Sequence, residues 1–351
     1  MKIPYFPFKT SAQLRPSSAR VPVHIINPLW NAYGGSERRA VSLYTLLKDH
    51  TDVSLWSEHE PHPALAATYP ICPIQLRRLH FPRSGVLVFV GIYFYVGRWI
   101  RFSRPQRKIV IINTIESDRK PRFISHIEQA GGPPVEIVYA SQSTEAAYSM
   151  PGVIESSPID LTVFTTVARP PDRDRFTVGR LSRDHPKKHH ADDPAFYRRL
   201  IEQGCAIRIM GGRILADRMN ASPFLELLPA GHEPAAQFLQ GHDCFYYRTA
   251  GDYYETYGRV VHEALACGLP VVVERDGGYA EHIEHGVNGF LFDKEDEAQK
   301  IIVDLKEDAA LRARISRAAR ESAQRIYSPV ELENIRRFYI GDSDLNWRAA
   351  R

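Results

Sequence analysis

Residues 255–292, ETYGRVVHEALACGLPVVVERDGGYAEHIEHGVNGFLF, contain the clearest alternation of helix and strand signals in the chain. The polar opening leads into a helix predicted over residues 259–266, and the apolar run at 270–275 predicts a buried strand. A glycine pair, Gly277-Gly278, separates this strand from another short helical segment, and GFLF at 289–292 predicts the next strand. Strands joined by helices in this order are typical of an α/β protein with a parallel sheet.

The same alternation extends through the second half of the chain. Strands are predicted at 176–181, 206–212, 224–229, 243–248, 270–275 and 289–292. Helices are predicted at 194–203, 234–240, 259–266 and 278–284, and residues 294–337 form a charge-rich helical tail. Long apolar strands with helices between them predict a mostly parallel sheet that helices cover on both faces.

The first half of the chain begins a second unit of the same kind. Between Val21 and Trp56 a strand, a glycine turn at Gly34-Gly35, a helix and another strand follow one another, which is a βαβ pattern. Further strands are predicted at Val86–Val90, Lys108–Ile112 and Glu136–Tyr139. Two α/β units of similar size predict a ligand cleft between them, at the carboxyl ends of the strands.

A proline-rich, charged stretch around residues 165–175 has the composition of a linker between domains. We therefore predict a first domain over residues 1–165 on the acceptor side and a donor-binding domain over 166–325. A tail over residues 326–351 follows, and we consider that it packs back on the first domain.

Composition narrows the class of protein. The chain of 351 residues has 45 Lys and Arg against 41 Asp and Glu, a balance too even for a nucleic-acid-binding protein. A hydrophobic fraction of 44% excludes a mainly disordered chain. The four cysteines form no CxxC pair, so the sequence indicates neither a disulfide scaffold nor a cysteine-based metal site. With no evident signal peptide at the amino terminus, a reducing cytoplasm fits best.

The segment from Ser84 to Lys108 allows two interpretations. Its first fourteen residues, SGVLVFVGIYFYVG, are uncharged, but this is shorter than a membrane-spanning helix. One interpretation is a buried strand, Val86–Val90, followed by a helix whose aromatic residues pack inward. The other is a peripheral contact with anionic lipid, with the arginines at the surface and the aromatic residues inserted shallowly. The residues concerned are Arg98, Arg101, Arg104, Tyr93, Phe94, Tyr95 and Trp99.

The start of the helix after Glu255 contains the residues that are best suited to bind a ligand. Thr256, Tyr257 and Gly258 open this helix, so its first amides and its positive end are presented to an anion, for which phosphate is the natural guest. Glu255 and Glu263 are eight residues apart, and each carboxylate can accept hydrogen bonds from paired hydroxyls of one extended ligand. The glycine pair after the next strand lets backbone amides approach a ligand closely.

These residues resemble the E-x7-E region of the retaining glycosyltransferases of family 4. The matched positions are Glu255, Tyr257-Gly258, Glu263-Ala264, Ala266, Gly268, Pro270 to Val272, Gly277-Gly278, Glu281, Gly286 and Gly289. Upstream, residues 178–181 with Lys187 and Lys188 resemble the GR…K element of the family, and Tyr33 to Glu37 resemble its first glycine loop. The resemblance is good over about residues 155–325 and weak over most of 1–150.

The resemblance implies a fold and an activity. The fold would be GT-B, with two Rossmann-like domains and a cleft between them. The activity would be transfer of a sugar from a nucleotide-diphosphate sugar, with retention at the anomeric carbon, to a glycan or lipid-linked acceptor in polysaccharide or glycoconjugate biosynthesis. The alternative is a catalytically idle partner subunit that binds a nucleotide sugar or glycan. Nucleic acid is not expected as a partner, and a place on the inner membrane face is considered.

The resemblance also implies the roles of individual residues. Glu263 would bind the ribose and Glu255 the transferred sugar, while Arg180 and Lys188, with Lys187 as the alternative, would neutralise the diphosphate. The backbone at Gly35, Tyr257, Gly258, Gly277 and Gly278 would contact the donor. Fixed cations and a helix end can stabilise the leaving group, so no cofactor and no metal are expected. Asn113 stands where many relatives carry a His near the transferred sugar, and supplies a neutral hydrogen bond there unless the register of this weaker region is shifted.

Overall fold

Two parallel β-sheets, one in each half of the chain, form the framework of the protein. The computed structural model describes residues 21–115, 119–148, 150–167 and 175–341. Neighbouring strands pair in parallel throughout both sheets, and helices connect most of them. This arrangement confirms the predicted α/β class.

The first sheet has seven strands in the order β3-β2-β1-β4-β5-β6-β7. The strands are β1 (Val23–Ile26), β2 (Val53–Ser57), β3 (Ile71–Pro73), β4 (Val86–Val90), β5 (Arg107–Ile112), β6 (Val135–Tyr139) and β7 (Val153–Ile154). The helices of this half are α1 (Gly35–Leu47), α2 (Pro63–Ala66), α3 (Arg119–Glu128) and α4 (Gln142–Ala146). All five residues of β4 are buried, as expected for a central strand that is covered on both faces.

The second sheet has six strands in the order β10-β9-β8-β11-β12-β13. They are β8 (Thr177–Leu181), β9 (Ala206–Met210), β10 (Leu225–Leu228), β11 (Cys244–Tyr247), β12 (Val271–Glu274) and β13 (Phe290–Phe292). The remaining helices are α5 (Asp193–Glu202), α6 (Ala235–Gln240), α7 (Arg259–Ala266), α8 (Glu295–Glu307), α9 (Ala309–Ile326) and α10 (Pro329–Ile340). The strand order reverses between β8 and β11, and such a reversal opens a ligand crevice at the carboxyl ends of the strands.

The last helix returns to the first sheet. Phe338 and Tyr339 of α10 are fully buried in the hydrophobic core that contains β1, β4 and α1. The guanidinium of Arg107, at the start of β5, donates a hydrogen bond of 2.5 Å to the carbonyl oxygen of Phe338. The proposed domain boundary at residue 165 lies beside residues 168–174, which are outside the described part of the chain, as are residues 1–20 and 342–351.

The segment that follows β4 differs in part from each of the two predictions made for it. The strand itself is present, but the expected helix is replaced by a loop and one 3-10 turn at Arg98–Phe102. The amide of Gly97 and the indole of Trp99 both donate to Glu58 Oε1, at 2.8 and 2.5 Å. This tertiary partner takes an amide that a helix would have used, and glycine itself disfavours a helix.

The aromatic residues of the same segment divide into buried and exposed ones. Trp99 is only 1% exposed and packs on Phe89, while the Tyr93 hydroxyl accepts a hydrogen bond of 3.1 Å from Asn27. Insertion of Trp99 and Tyr93 into lipid was therefore a wrong expectation. Tyr95 and Phe102 are 66% and 60% exposed. Among the described residues, no helix is both long enough and apolar enough to cross a membrane.

Candidate functional site

A cavity of about 740 Å³ lies in the cleft between the two sheets. Its first-domain wall comes from the loop after β1, the start of α1 and the residues after β4 and β5. Its second-domain wall comes from the loops after β8 and β11 and from the first turns of α7. The ends of parallel strands therefore build both walls, at the place where α/β sheets bind ligands.

Most of the residues selected from the sequence line this one cavity. They are Gly35, Asn113, Lys187, Lys188, Glu255, Tyr257, Gly258 and Glu263. Three others, Arg180, Gly277 and Gly278, are not part of the cavity lining among the described residues. The fold thus brings together residues that are as much as 228 positions apart in the sequence, from Gly35 to Glu263.

An ion pair lies at the centre of the second-domain wall. Lys188 Nζ contacts Glu255 Oε2, and the hydroxyl of Tyr247 donates a hydrogen bond of 2.7 Å to the same oxygen. The Lys188 ammonium also lies 4.4 Å from the ring centre of Tyr253. Burial alone would raise the pKa of Glu255, but the charge and hydrogen bond of Lys188 hold it below its ordinary value. The carboxylate is consequently kept ionised beside a cation.

Arg180 lies behind this wall instead of facing the cavity. Its side chain is 1% exposed, its guanidinium lies 4.7 Å from the ring centre of Tyr247, and its Nη2 donates to the backbone oxygens of Lys188 and Arg248. Nε and Nη1 are buried and have no partner among the described residues. In this structure Arg180 therefore supports the backbone that carries Lys188.

Arg183 is a cavity residue that the sequence analysis missed. It lies three residues after Arg180 in the loop that follows β8, and it lines the cavity. Its charge lowers the pKa of Glu255 and opposes the rise in pKa that burial causes at Glu37, on the opposite wall. Nothing in its spacing distinguished it from neighbouring basic residues, because the loop GRLSRDHPKK offers several candidates.

Glu263 is held at the cavity by Arg259, one turn earlier in α7. Arg259 Nε donates to Glu263 Oε1 at 2.8 Å. The other guanidinium nitrogens donate to Ser157 Oγ, at 2.8 Å, and to Ser42 Oγ on α1, at 3.2 Å. Arg259 thus connects a predicted ligand carboxylate with the first domain.

The glycine pair after β12 supports Glu255 from behind. The Gly278 amide donates a hydrogen bond of 2.8 Å to the Glu255 carbonyl oxygen. A Cβ atom at Gly278 would lie 1.9 Å from the Thr256 carbonyl oxygen, so only glycine permits this close approach. In this structure the pair positions the loop before α7, and the predicted contact with the donor stays a prediction.

Asn113 links the two walls at the floor of the cavity. Its Nδ2 donates to Ser36 Oγ at 2.7 Å, and its carbonyl oxygen accepts a hydrogen bond of 2.7 Å from Thr256 Oγ1. Its Oδ1 is buried and has no partner among the described residues, so one acceptor is unsatisfied. Asn113 Oδ1 is therefore available to accept a hydrogen bond, and the role of Asn113 at the transferred sugar stays a prediction.

Metal chemistry was not expected at this site. Across the described parts of the chain, no group of three or more His, Cys, Asp and Glu side chains is arranged to hold a metal ion. Whether catalysis needs a metal is not tested by this arrangement, and the expectation stays a prediction.

Comparison with known proteins finds a family match over part of the chain. Residues 232–322 match the model of the glycosyl transferases group 1, and this range contains both Glu255 and Glu263. Sucrose synthase 2 of Pisum sativum is 48% identical over 54 residues, which are 15% of this chain and 7% of the pea protein. The chain therefore spans only a small part of the length of this curated relative.

Solved structures extend the similarity to nearly the whole chain. Anabaena HepE in complex with UDP-glucose superposes with a TM-score of 0.70 at 16% identity, covering 92% of this chain and 98% of that one. Sucrose-phosphate synthase from Thermosynechococcus elongatus gives a TM-score of 0.71, also at 16% identity, over 91% and 98% of the two chains. The chain has the GT-B fold, with two Rossmann-like domains, and its residues 232–322 are similar to the glycosyl transferases group 1.

Proposed function

We propose that this protein is a metal-independent, retaining glycosyltransferase. It would move a sugar from a nucleotide-diphosphate sugar to a glycan or lipid-linked acceptor, in the biosynthesis of a polysaccharide or glycoconjugate. The observation that carries the proposal is the placement of Glu255, Lys188 and Glu263 on one wall of the interdomain cavity, with both glutamates inside the matched residues 232–322.

The charges of this wall suit a diphosphate leaving group. Lys187, Lys188 and Arg183 line the cavity, and so do the residues at the start of α7, from Gly258 to Val260. Cations and helix amides that are fixed before the reaction stabilise the negative charge that develops on a departing phosphate. Side chains of this chain alone would therefore supply the electrostatic stabilisation, which supports a mechanism without a metal.

The two glutamates would bind different parts of the donor. Glu263 sits beside the amino-terminal turn of α7, where it would accept hydrogen bonds from the paired hydroxyls of a ribose. Glu255 is held ionised by Lys188 and would accept hydrogen bonds from the transferred sugar at the reacting centre. Retention at the anomeric carbon, and membership of family 4, are proposed from the resemblance of residues 255–292.

A nucleotide panel tests the donor site directly. Thermal unfolding of the full chain would be measured with UDP, GDP, ADP and their common sugar conjugates, with and without EDTA. HepE has been solved with UDP-glucose, so UDP and UDP-glucose come first. A ligand at about one hundred times its dissociation constant adds about 2.7 kcal/mol of stability, and we expect one base to give this EDTA-insensitive shift. Absence of a shift with every nucleotide would contradict the proposal.

Turnover separates an enzyme from an idle binding subunit. We expect the wild type to release free nucleotide from the nucleotide sugar that stabilises it, and chromatography measures this release. We also expect Glu263→Gln to lose the thermal shift. The matched control is Glu284→Gln, because Glu284 is an exposed carboxylate of the same domain that does not line the cavity. A wild type that binds the nucleotide sugar but never releases nucleotide would favour the idle subunit.

We also propose a peripheral contact with anionic lipid through the surface near Phe102. Arg98, Arg101 and Arg104 are exposed there together with Phe102, and basic side chains around an exposed aromatic ring are typical of lipid-binding surfaces. Sedimentation with anionic vesicles should show salt-sensitive binding that falls when these three arginines are changed to Gln. The control changes three exposed arginines elsewhere, Arg198, Arg213 and Arg317. Equal binding by both variants would contradict the contact.

A further inference from the structure

The first-domain wall of the cavity carries an aromatic group that the donor chemistry leaves unused. Trp30, Tyr33 and Tyr93 line this wall together with the carboxylate of Glu37, and we call these four residues the aromatic wall. None of the four belongs to the residues 232–322 that match the family model. Tyr33 and Glu37 lie in the glycine loop that resembles that of the family, but no role at the cavity was assigned to any of the four side chains, so we interpret them from their contacts.

Trp30 presents a large ring to the cavity and to solvent. It is 45% exposed, and its ring centre lies 4.9 Å from that of His59 and 5.9 Å from that of Tyr93. These neighbours fix the indole from the side and leave part of its surface open. An indole held in this way has an apolar face available for a flat or ring-shaped ligand.

The turn that holds Trp30 is conformationally strained. The preceding residue, Leu29, has a φ of 54°, in the left-handed region that a leucine rarely adopts, and its side chain is fully buried. Its amide donates a hydrogen bond of 2.8 Å to Asn27 Oδ1, and its carbonyl oxygen accepts one of 2.7 Å from the His62 amide. Strained turns that are held by their surroundings concentrate at ligand-binding positions.

Tyr33 reaches across the cavity to the second domain. It is 43% exposed, and its ring lies over the backbone of Gly231, where an added Cβ would come within 2.1 Å of the ring. The ring centre is also 6.0 Å from that of His62. Tyr33 therefore forms a border of the cavity at which the two domains meet.

Glu37 supplies a polar group below these rings. It is 3% exposed, and a Cβ atom at Gly34 would lie 1.9 Å from its Oε2, so the carboxylate folds back over the glycine loop. Burial raises the pKa of Glu37, opposed by hydrogen bonds with its own amide and with Tyr93 and by the charge of Arg183. A carboxylate has more acceptor positions than these two hydrogen bonds fill, so a ligand hydroxyl can add a further one.

An apolar ring face beside a carboxylate matches one chemical class. A pyranose has an apolar face of C–H groups and a rim of hydroxyls, so it can pack on the indole while its hydroxyls bond to the carboxylate and to Asn113 Oδ1. A bare alkyl chain would offer no hydrogen bond to Asn113 Oδ1. A strongly anionic ligand would meet the carboxylate of Glu37.

We propose that the aromatic wall is the acceptor subsite and that the acceptor presents a pyranose ring, which packs on Trp30 and donates a hydroxyl hydrogen bond to Glu37. The assignment rests on the proposed function, because it takes the opposite wall as the donor site. It narrows the acceptor to a compound whose reacting end is a sugar, whether that sugar ends a free glycan or a glycolipid.

Saturation-transfer NMR on the full chain tests this subsite without knowledge of the natural acceptor. The probes are methyl α-D-glucopyranoside, methyl α-D-galactopyranoside and methyl α-D-mannopyranoside, with glycerol as a hydroxyl-bearing compound that has no ring. We expect ring C–H signals from at least one glycoside in the wild type. Trp30→Ala should weaken its binding about tenfold or more, and Trp30→Phe should keep most of it.

Two further variants separate the roles of the ring and the carboxylate. Glu37→Gln keeps the size of the side chain, and we expect it to weaken glycoside binding about tenfold while the protein stays folded. Tyr95→Ala removes an even more exposed aromatic ring outside the cavity, and should leave binding unchanged. Thermal unfolding without ligand confirms that each variant is folded before it is compared.

Nucleotide binding in the same variants distinguishes failure of this inference from failure of the proposed function. We expect Trp30→Ala and Glu37→Gln to keep the thermal shift that the nucleotide gives the wild type. Loss of that shift in both variants would place the aromatic wall in the donor site and overturn the acceptor assignment. The assignment is also overturned if no glycoside gives a signal that depends on Trp30, whereas a wild type that ignores nucleotides counts against the proposed function.

Discussion

The two walls of the cavity differ in chemistry, although similar sheets carry them. The second-domain wall is charged: Glu255 and Glu263 stand at either side of one helix start, and Lys188 reaches it from a loop 67 positions before Glu255. The first-domain wall carries three aromatic rings, of which Trp30 and Tyr33 share one loop and Tyr93 comes from a separate segment. Local spacing reveals the two glutamates, and folding brings Lys188 and Tyr93 to their walls.

The difference in chemistry matches a division of labour between a donor and an acceptor. Cations paired with a carboxylate, as at Lys188 and Glu255, suit a diphosphate and a sugar in one ligand. Exposed rings next to a buried carboxyl group suit a neutral sugar. If this division holds, substitutions can disable the two walls separately.

The largest effect is expected from Glu255→Gln on the charged wall. Removing the carboxylate from the reacting centre should lower kcat for release of nucleotide by about 10²- to 10³-fold, because a preorganised electrostatic contact is lost. Nucleotide affinity, measured by calorimetry, should stay within a few-fold of wild type. Trp30→Ala is the comparison on the other wall. If it lowers the release of nucleotide equally when water takes the place of the acceptor, the two walls do not have separate roles.

A large effect on stability is expected at a buried ion pair of α1, the helix that carries Glu37. Arg39 of α1 pairs with Glu155 after β7 at 3.0 Å, and both side chains are at most 2% exposed. Arg39→Ala would strand a buried charge, so the free energy of unfolding in urea should fall by about 3 to 5 kcal/mol. The matched control is Arg275→Ala, whose pair with Asp293 has 50% and 59% exposure and should contribute about 0 to 1 kcal/mol. Equal losses in the two variants would contradict this account.

A moderate effect is expected at Arg259, which joins the walls. Arg259→Gln removes the hydrogen bonds to Glu263, Ser157 and Ser42, so Glu263 is no longer held toward the cavity. Nucleotide affinity in calorimetry should fall about tenfold, which corresponds to about 1.4 kcal/mol. Lys300→Gln breaks an exposed pair of the same i,i+4 spacing and should leave affinity unchanged. If Arg259→Gln binds nucleotide like wild type, this arginine does not organise the donor wall.

The smallest effect is a pH dependence of stability that belongs to Glu255. Its pKa in the folded protein lies below the ordinary 4.5, so its ionised form stabilises the fold above that value. This contribution is lost as the pH falls below about 4.5 and through the lowered pKa. The loss of unfolding free energy in Glu255→Gln should therefore be full at pH 7 and shrink on acidification, in urea titrations at several pH values. A loss that grows toward acid would reverse the assigned sign.

The sequence predicted the second domain more accurately than the first. The helix at 259–266 was predicted with the observed bounds, and the strands of this half differ from observation by no more than two residues at either end. In the first domain the short strands β3 and β7 were missed, and the segment after β4 was given a helix that does not form. Short edge strands carry few residues of pattern, and Glu58 decides the conformation of Gly97 from a distant part of the chain.

The candidate site shows the same limit. Glu255, Glu263 and Lys188 were found because a helix start and its neighbouring loops leave a readable order of residues. Arg183 was missed and Arg180 was chosen. The two differ because Arg183 lines the cavity and Arg180 is buried behind it, and their spacing in the sequence does not reveal this difference. The roles assigned to these residues, the domain boundaries, the compartment and the absence of a metal stay predictions.

The α/β class, the glycine-framed helix start of α7 and the pair of glutamates around it can be inferred from the amino-acid sequence, because local periodicity and turn residues act over a few positions. The folded chain was needed to show which cation faces the cavity, that Arg180 lies behind it, and that Trp30, Tyr33, Tyr93 and Glu37 meet on the opposite wall. Those outcomes arise because segments distant in sequence meet at the ends of the strands. Contacts between such segments leave no periodic pattern in the sequence.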